Sequence, residues 1–162
     1  MTDRACIGLG MAAGLIWAVV LLWAGRQISV PIGAIQPTLM GAVFAPGLVL
    51  VAMVGRIAQR RFFDATLIDG QAPRPGTAAD IDARVLQNTL EQTVLALCIW
   101  PLVGFTLGAG VVLVLGLGFA VARLAFWVGY HRAPPLRAFG FAATFYPTVV
   151  AGLWVLARLL SG

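Results

Sequence analysis

The chain contains no lysine, one histidine and one glutamate among its 162 residues, and only 10% of it is charged. A soluble globular domain carries about 25% charged residues, so this composition excludes water as the solvent of most of the surface. The two cysteines, Cys6 and Cys98, lie inside apolar runs, away from any CxxC or neighbouring histidine. There a thiol packs as a small hydrophobe, and neither a disulfide framework nor a thiolate metal site is expected. His131 alone cannot supply the ligand set of a zinc or haem centre, so no metal is expected. The net charge of +5 is all arginine, dispersed between apolar segments with no basic motif. That pattern fits orientation in a membrane and argues against nucleic acid as a partner.

What is present is apolar: 60% of the residues are hydrophobic and the mean hydropathy is +0.94. Five runs stand out, at about 6–25, 37–57, 80–103, 111–129 and 138–156. Each approaches the roughly 20 residues needed to cross a hydrocarbon core about 30 Å thick. The runs are continuous and do not alternate with polar residues, which makes them helices and not barrel strands. The expected fold is therefore all-α, a single membrane domain over 1–162 embedded in a lipid bilayer. The first run follows Arg4 like a signal peptide, but it is long for one and lacks a small-x-small cleavage pattern, so it reads as a spanning helix.

Segment 62–79, with Asp64, Asp69, Pro73, Arg74 and Pro75, is the one long polar loop. Thr77 and Asp80 match a helix N-cap pattern, with Asp80 and Asp82 favourable for the dipole. A turn is expected at Gly104–Gly110, a short loop at His131–Leu136 around Pro134 and Pro135, and a bend at Pro147. Gly10 with Gly14, and Gly104 with Gly108, match GxxxG, and the tryptophans read as interfacial anchors. Five spans place Arg4, Arg56, Arg60, Arg61, Arg74, Arg84, Arg132 and Arg137 on one side, against Arg26 and Arg158 on the other. The positive-inside rule makes the arginine-rich side cytoplasmic. The expected location is a bacterial inner (plasma) membrane, crossed several times.

Two polar stripes interrupt the apolar helices. Arg84, Asn88 and Glu91 stand at i, i+4 and i+7 on one helix face, with Glu91 about 10 Å deeper than Arg84 at 1.5 Å per residue. An unpaired charge among lipid tails costs at least about 2.5–3.5 kcal/mol, so this face must meet the bundle or another subunit. Arg123, Phe126 and Tyr130 form a second stripe, with Arg137 just beyond the two prolines. Arg123 is the natural partner for Glu91. The residues alone leave two readings open, a structural ion pair that fixes helix register or a ligand site. No charged side chain follows Glu91 from Val94 to Pro101, which argues against a through-pore.

The stretch Arg84-Val-Leu-Gln-Asn88-Thr-Leu-Glu91, followed by Ala-Arg123-Leu-Ala-Phe126-Trp-Val-Gly129-Tyr130 and then Arg137, resembles the signature segments of the MAPEG family. These are membrane-associated proteins of eicosanoid and glutathione metabolism, including microsomal glutathione transferases. The resemblance covers about Ala83–Leu156 and implies a four-helix core, with the 6–25 run as an extra helix that covers the bundle. It also implies a homotrimer that binds glutathione as co-substrate between subunits, near the cytoplasmic side.

By that pattern Arg84, Asn88 and Glu91 hold the peptide part of glutathione, Arg123 and Tyr130 line the site, and Arg137 faces the sulfur as the catalytic residue. The acceptor would be a lipophilic electrophile or a lipid hydroperoxide. Arg56, Arg60 and Arg61 resemble the basic end of the family's first helix and would contribute from the adjacent subunit. Gln92 and Phe126 stand where leukotriene synthases of the family carry tyrosines. The alternative implied by those departures is a noncatalytic protein of the same fold.

Overall fold

The computed structural model describes residues 3–162 and consists of five long helices: α1 (Asp3–Arg26), α2 (Ile35–Phe63), α3 (Ala78–Leu107), α4 (Ala109–Arg132) and α5 (Pro134–Leu160). A 3-10 turn at Ile32–Ala34 leads into α2. All five helices are long and apolar enough to cross a membrane, and the protein is an integral, multi-pass membrane protein. Helix α3, at 30 residues, would reach about 45 Å and so exceeds a 30 Å hydrocarbon core. The ends of α2 and α3 that flank the polar loop therefore have length to spare.

Contacts along the helices set their directions. Gly10 and Gly14 of α1 meet Pro135, Phe139 and Ala142 of α5, whereas Gly25 meets Val111 of α4. Helices α1, α3 and α5 thus run one way and α2 and α4 the other. One end of the bundle gathers the start of α1, the end of α2, the start of α3 and the α4–α5 corner. The main core lies toward the opposite end, where Leu21, Leu22, Trp100, Val103, Val111, Leu115, Phe119 and Val155 pack together. A smaller cluster of Val49, Met53, Val85 and Phe126 lies nearer the arginine-rich end.

Helix limits differ from the sequence expectations wherever Gly or Pro was read as a stop. Helix α3 continues through Pro101 to Leu107, and its connection to α4 is Gly108 alone, at φ 111° and ψ 142°. That backbone region is open to glycine and strained for other residues, so one residue replaces the expected Gly104–Gly110 turn. Likewise Ala133 alone separates α4 from α5, because Pro134 and Pro135 occupy the first positions of α5, where the missing amide hydrogen costs nothing. Helix α2 extends to Phe63, past the expected end near residue 57.

The Thr77 cap forms: its hydroxyl accepts from the Asp80 amide at 3.3 Å, and Asp80 accepts from the Gly76 amide at 2.9 Å. Of the two GxxxG patterns, Gly10 and Gly14 seat α1 on α5, but Gly104 packs on Leu39 and Gly108 is the corner. Trp100 is not an interfacial anchor. It is 1% exposed and donates to the Thr148 hydroxyl at 3.2 Å.

Candidate functional site

Helix α3 presents two polar faces. Its buried register runs Asp82, Val85, Thr89, Gln92, Thr93, Ala96, Trp100, and the adjoining face carries Arg84, Asn88 and Glu91. Arg84 pairs with Asp80 through Nε (3.1 Å) and Nη2 (3.1 Å). Glu91 accepts from Gln87 Nε2 at 3.0 Å and from Asn88 Nδ2 at 3.4 Å. In the single chain Arg84 and Glu91 are exposed and Asn88 is half-buried.

Arg123 of α4 is wholly buried. Its Nη1 donates to Asn88 Oδ1 at 2.8 Å, while Nη2 donates to the Gly140 carbonyl at 3.0 Å and to the Thr144 hydroxyl. The Phe126 ring lies 4.1 Å from its guanidinium carbon, within the range of a cation–π contact. Among the described residues its Nε has no acceptor. Arg123 therefore makes no direct ion pair with Glu91, contrary to the sequence expectation. Asn88, one turn nearer on α3, stands between them and links the two: its oxygen accepts a hydrogen bond from Arg123 and its amide nitrogen donates to the carboxylate.

Close backbone approach makes this possible. A Cβ at Gly140 would fall 2.5 Å from the Phe126 backbone, and one at Gly129 2.3 Å from the Arg137 amide. Both glycines let α5 press on α4, bringing the Gly140 carbonyl to Arg123 and Arg137 to Tyr130. The Arg137 guanidinium carbon lies 5.0 Å from the Tyr130 ring centroid, and Tyr130 packs edge-on against Phe126 at 5.0 Å. Arg137, Tyr130, Phe126, Arg123, Asn88 and Glu91 thus form one continuous sequence of contacts across α5, α4 and α3. Arg84 stays outside this sequence, paired with Asp80 one turn back on α3.

A second cluster was not anticipated. Asp82, 3% exposed, accepts at Oδ1 from Trp127 Nε1 (2.7 Å) and pairs there with His131 Nε2 (2.7 Å). Its Oδ2 accepts from Arg60 Nε, with Arg56 Nε at 3.9 Å. Asp82 is therefore no simple dipole partner of α3, and Trp127 is no free anchor. The register that buries Val85, Thr89 and Gln92 also buries Asp82, a signal that was available in the spacing. Arg56 and Arg60 turn toward this carboxylate of their own chain, while Arg61, together with Arg60, lines a neighbouring cavity of about 650 Å³ with Val54, Leu67, Leu86, Gln87 and Leu90.

The paired segments of α3 and α4 carry the resemblance noted in the sequence, and the MAPEG family model matches residues 37–159. The chain belongs to the MAPEG family. The matched region takes in nearly all of α2 through α5 and leaves α1 outside it. In this MAPEG protein the four-helix core is thus α2–α5, and α1 is an addition seated on α5 and α4. No curated protein and no solved structure gives a match.

Proposed function

We propose that this MAPEG protein binds glutathione and transfers its thiolate to lipophilic electrophiles, or uses it to reduce lipid hydroperoxides. The observation that carries the reading is the contact sequence from Arg137 through Tyr130 and Arg123 to Asn88 and Glu91. A structural ion pair does not require it. Glu91 and Arg84 suit the α-amino and carboxylate groups of a peptide, respectively, and Asn88 adds directional hydrogen bonding. Arg123, buried, serves the ligand through Asn88 and does not touch it. An exposed Glu91 on a spanning helix calls for cover, since lipid would penalise its charge. A neighbouring subunit of a homotrimer supplies that cover in this reading.

Arg137 gives the chemistry. A thiol near pKa 8.5 is mostly protonated at neutral pH, and only the thiolate is a strong nucleophile. Lowering that pKa by two units takes about 2.7 kcal/mol of preferential thiolate stabilisation, within reach of one permanently charged guanidinium in a partly desolvated site. In transfer, the sulfur forms the new C–S bond and the leaving group departs with the electron pair. In reduction, two thiols become a disulfide while the hydroperoxide yields an alcohol and water.

Isothermal titration of the detergent-purified protein with glutathione, alongside ultraviolet absorbance for thiolate, tests this. Binding lost in Arg84→Ala and the thiolate band lost in Arg137→Ala are the expected results. Folded wild-type protein that gives neither heat nor thiolate would overturn the proposal and leave the polar stripe a structural role.

A further inference from the structure

We propose that the cavity between the arginine-rich ends of α2 and α4 holds the phosphate of an anionic phospholipid, one per chain. This cavity, of about 480 Å³, is lined by Arg56, Arg60, Asp82, Trp127, His131 and Arg132, with Val128 at its edge. Three guanidiniums against one carboxylate leave it two positive charges even with His131 neutral. The Asp82 oxygens are already directed at Trp127, His131 and Arg60, so the cavity presents N–H donors to an incoming group. Arg56 Nη1 is held by Gln59 Oε1, and among the described residues no carboxylate pairs with Arg132. Guanidiniums with unspent, forked donors match the geometry of a phosphate.

An apolar track leads away from the cavity. Val128, Leu124, Val121 and Leu117 of α4 are each about half exposed and spaced to lie on one face. Ala52 and Leu48, exposed one and two turns from Arg56 on α2, add apolar surface on that helix. Helix α1 leaves this track uncovered at the arginine end because Gly10 and Gly14 seat it on α5 there. From Val128 to Leu117 the rise is about 16 Å, close to the roughly 15 Å depth of one leaflet's hydrocarbon. A cationic head site that continues into a leaflet-deep apolar track fits an amphiphile with an anionic head, whereas a free phosphate would use the cavity alone. The proposal is independent of the glutathione reading.

Native mass spectrometry of the purified protein, titrated with phosphatidylglycerol or with phosphatidylcholine of the same chains, is the test. The expected result is one tightly held phosphatidylglycerol per chain, selected over phosphatidylcholine and retained against excess inorganic phosphate. Arg56→Gln combined with Arg132→Gln, both exposed positions, should weaken retention about tenfold or more, with an unchanged circular dichroism spectrum. Arg74→Gln, in the polar loop, should leave it intact. Equal retention of the two lipids, or equal weakening by Arg74→Gln, would show nonspecific attraction to arginine-rich loops and sink the proposal. Displacement by inorganic phosphate would make this an ion site and overturn the lipid assignment.

Discussion

Arg123 and Asp82 are both buried charges in the same bundle, yet their surroundings are opposite. Arg123 sits nine residues inside the end of α4 and is held by neutral groups, the Asn88 and Gly140 carbonyls, the Thr144 hydroxyl and the Phe126 ring. Asp82 lies in the second turn of α3 and is ringed by Arg60, Arg56, His131 and the Trp127 indole. Depth explains the difference. Near the bundle end charged partners lose little solvation, so an ionic knot between α2, α3 and α4 costs little. Deeper in, a second charge would add its own desolvation penalty, and fixed dipoles are the less costly balance. One cluster staples helices together, and the other orients Asn88 toward the exposed face of α3.

The largest expected effect comes from breaking the ionic knot. Asp82→Leu would leave part-buried donors on three side chains, Arg60, Trp127 and His131, without an acceptor and should cost about 3–5 kcal/mol of stability, read as a lower unfolding temperature in detergent. Asp82→Asn, which keeps an acceptor, should cost less, and an equal loss from both would show that the charge is not what matters. The dipole cradle is tested by Gly140→Ala. Its methyl would press on the Phe126 backbone, cost about 1–3 kcal/mol and draw the Gly140 carbonyl away from Arg123. Stability unaffected by this change would mean that α5 does not need its close approach.

The smallest effect concerns a third charged group, Asp64, fully exposed and held by neutral groups only a short way along the chain. The Thr66 hydroxyl, and then the Thr66 amide, hold Asp64 below the usual carboxylate range. A lowered folded value means that its contribution is fully present above the ordinary carboxylate pKa and is lost as pH falls through the lowered one. Thr66→Val removes the hydroxyl but keeps the amide, so the Asp64 titration followed by NMR should move upward with almost no change in unfolding temperature. A large loss of stability would show that neutral local bonds at the surface count as much as the buried clusters.

By itself the sequence determined a polytopic helical membrane protein. Scarce charge and five long apolar runs leave the backbone no other way to satisfy its hydrogen bonds in lipid. It also fixed which residues share a helix face, because periodicity is local: Arg84 with Asn88 and Glu91, and Arg123 with Phe126 and Tyr130. The same periodicity held the burial of Asp82, obscured by its place just after Asp80 near the start of the helix. Only the tertiary structure decided which neighbour each face meets. Arg123 bonds Asn88 and not Glu91 because Gly140 and Gly129 set the spacing of α4 and α5. Arg60 reaches Asp82 because α2 runs on to Phe63, past the expected end of its apolar run. Helix partners depend on shape complementarity between segments far apart in the chain, and no spacing within one segment encodes that.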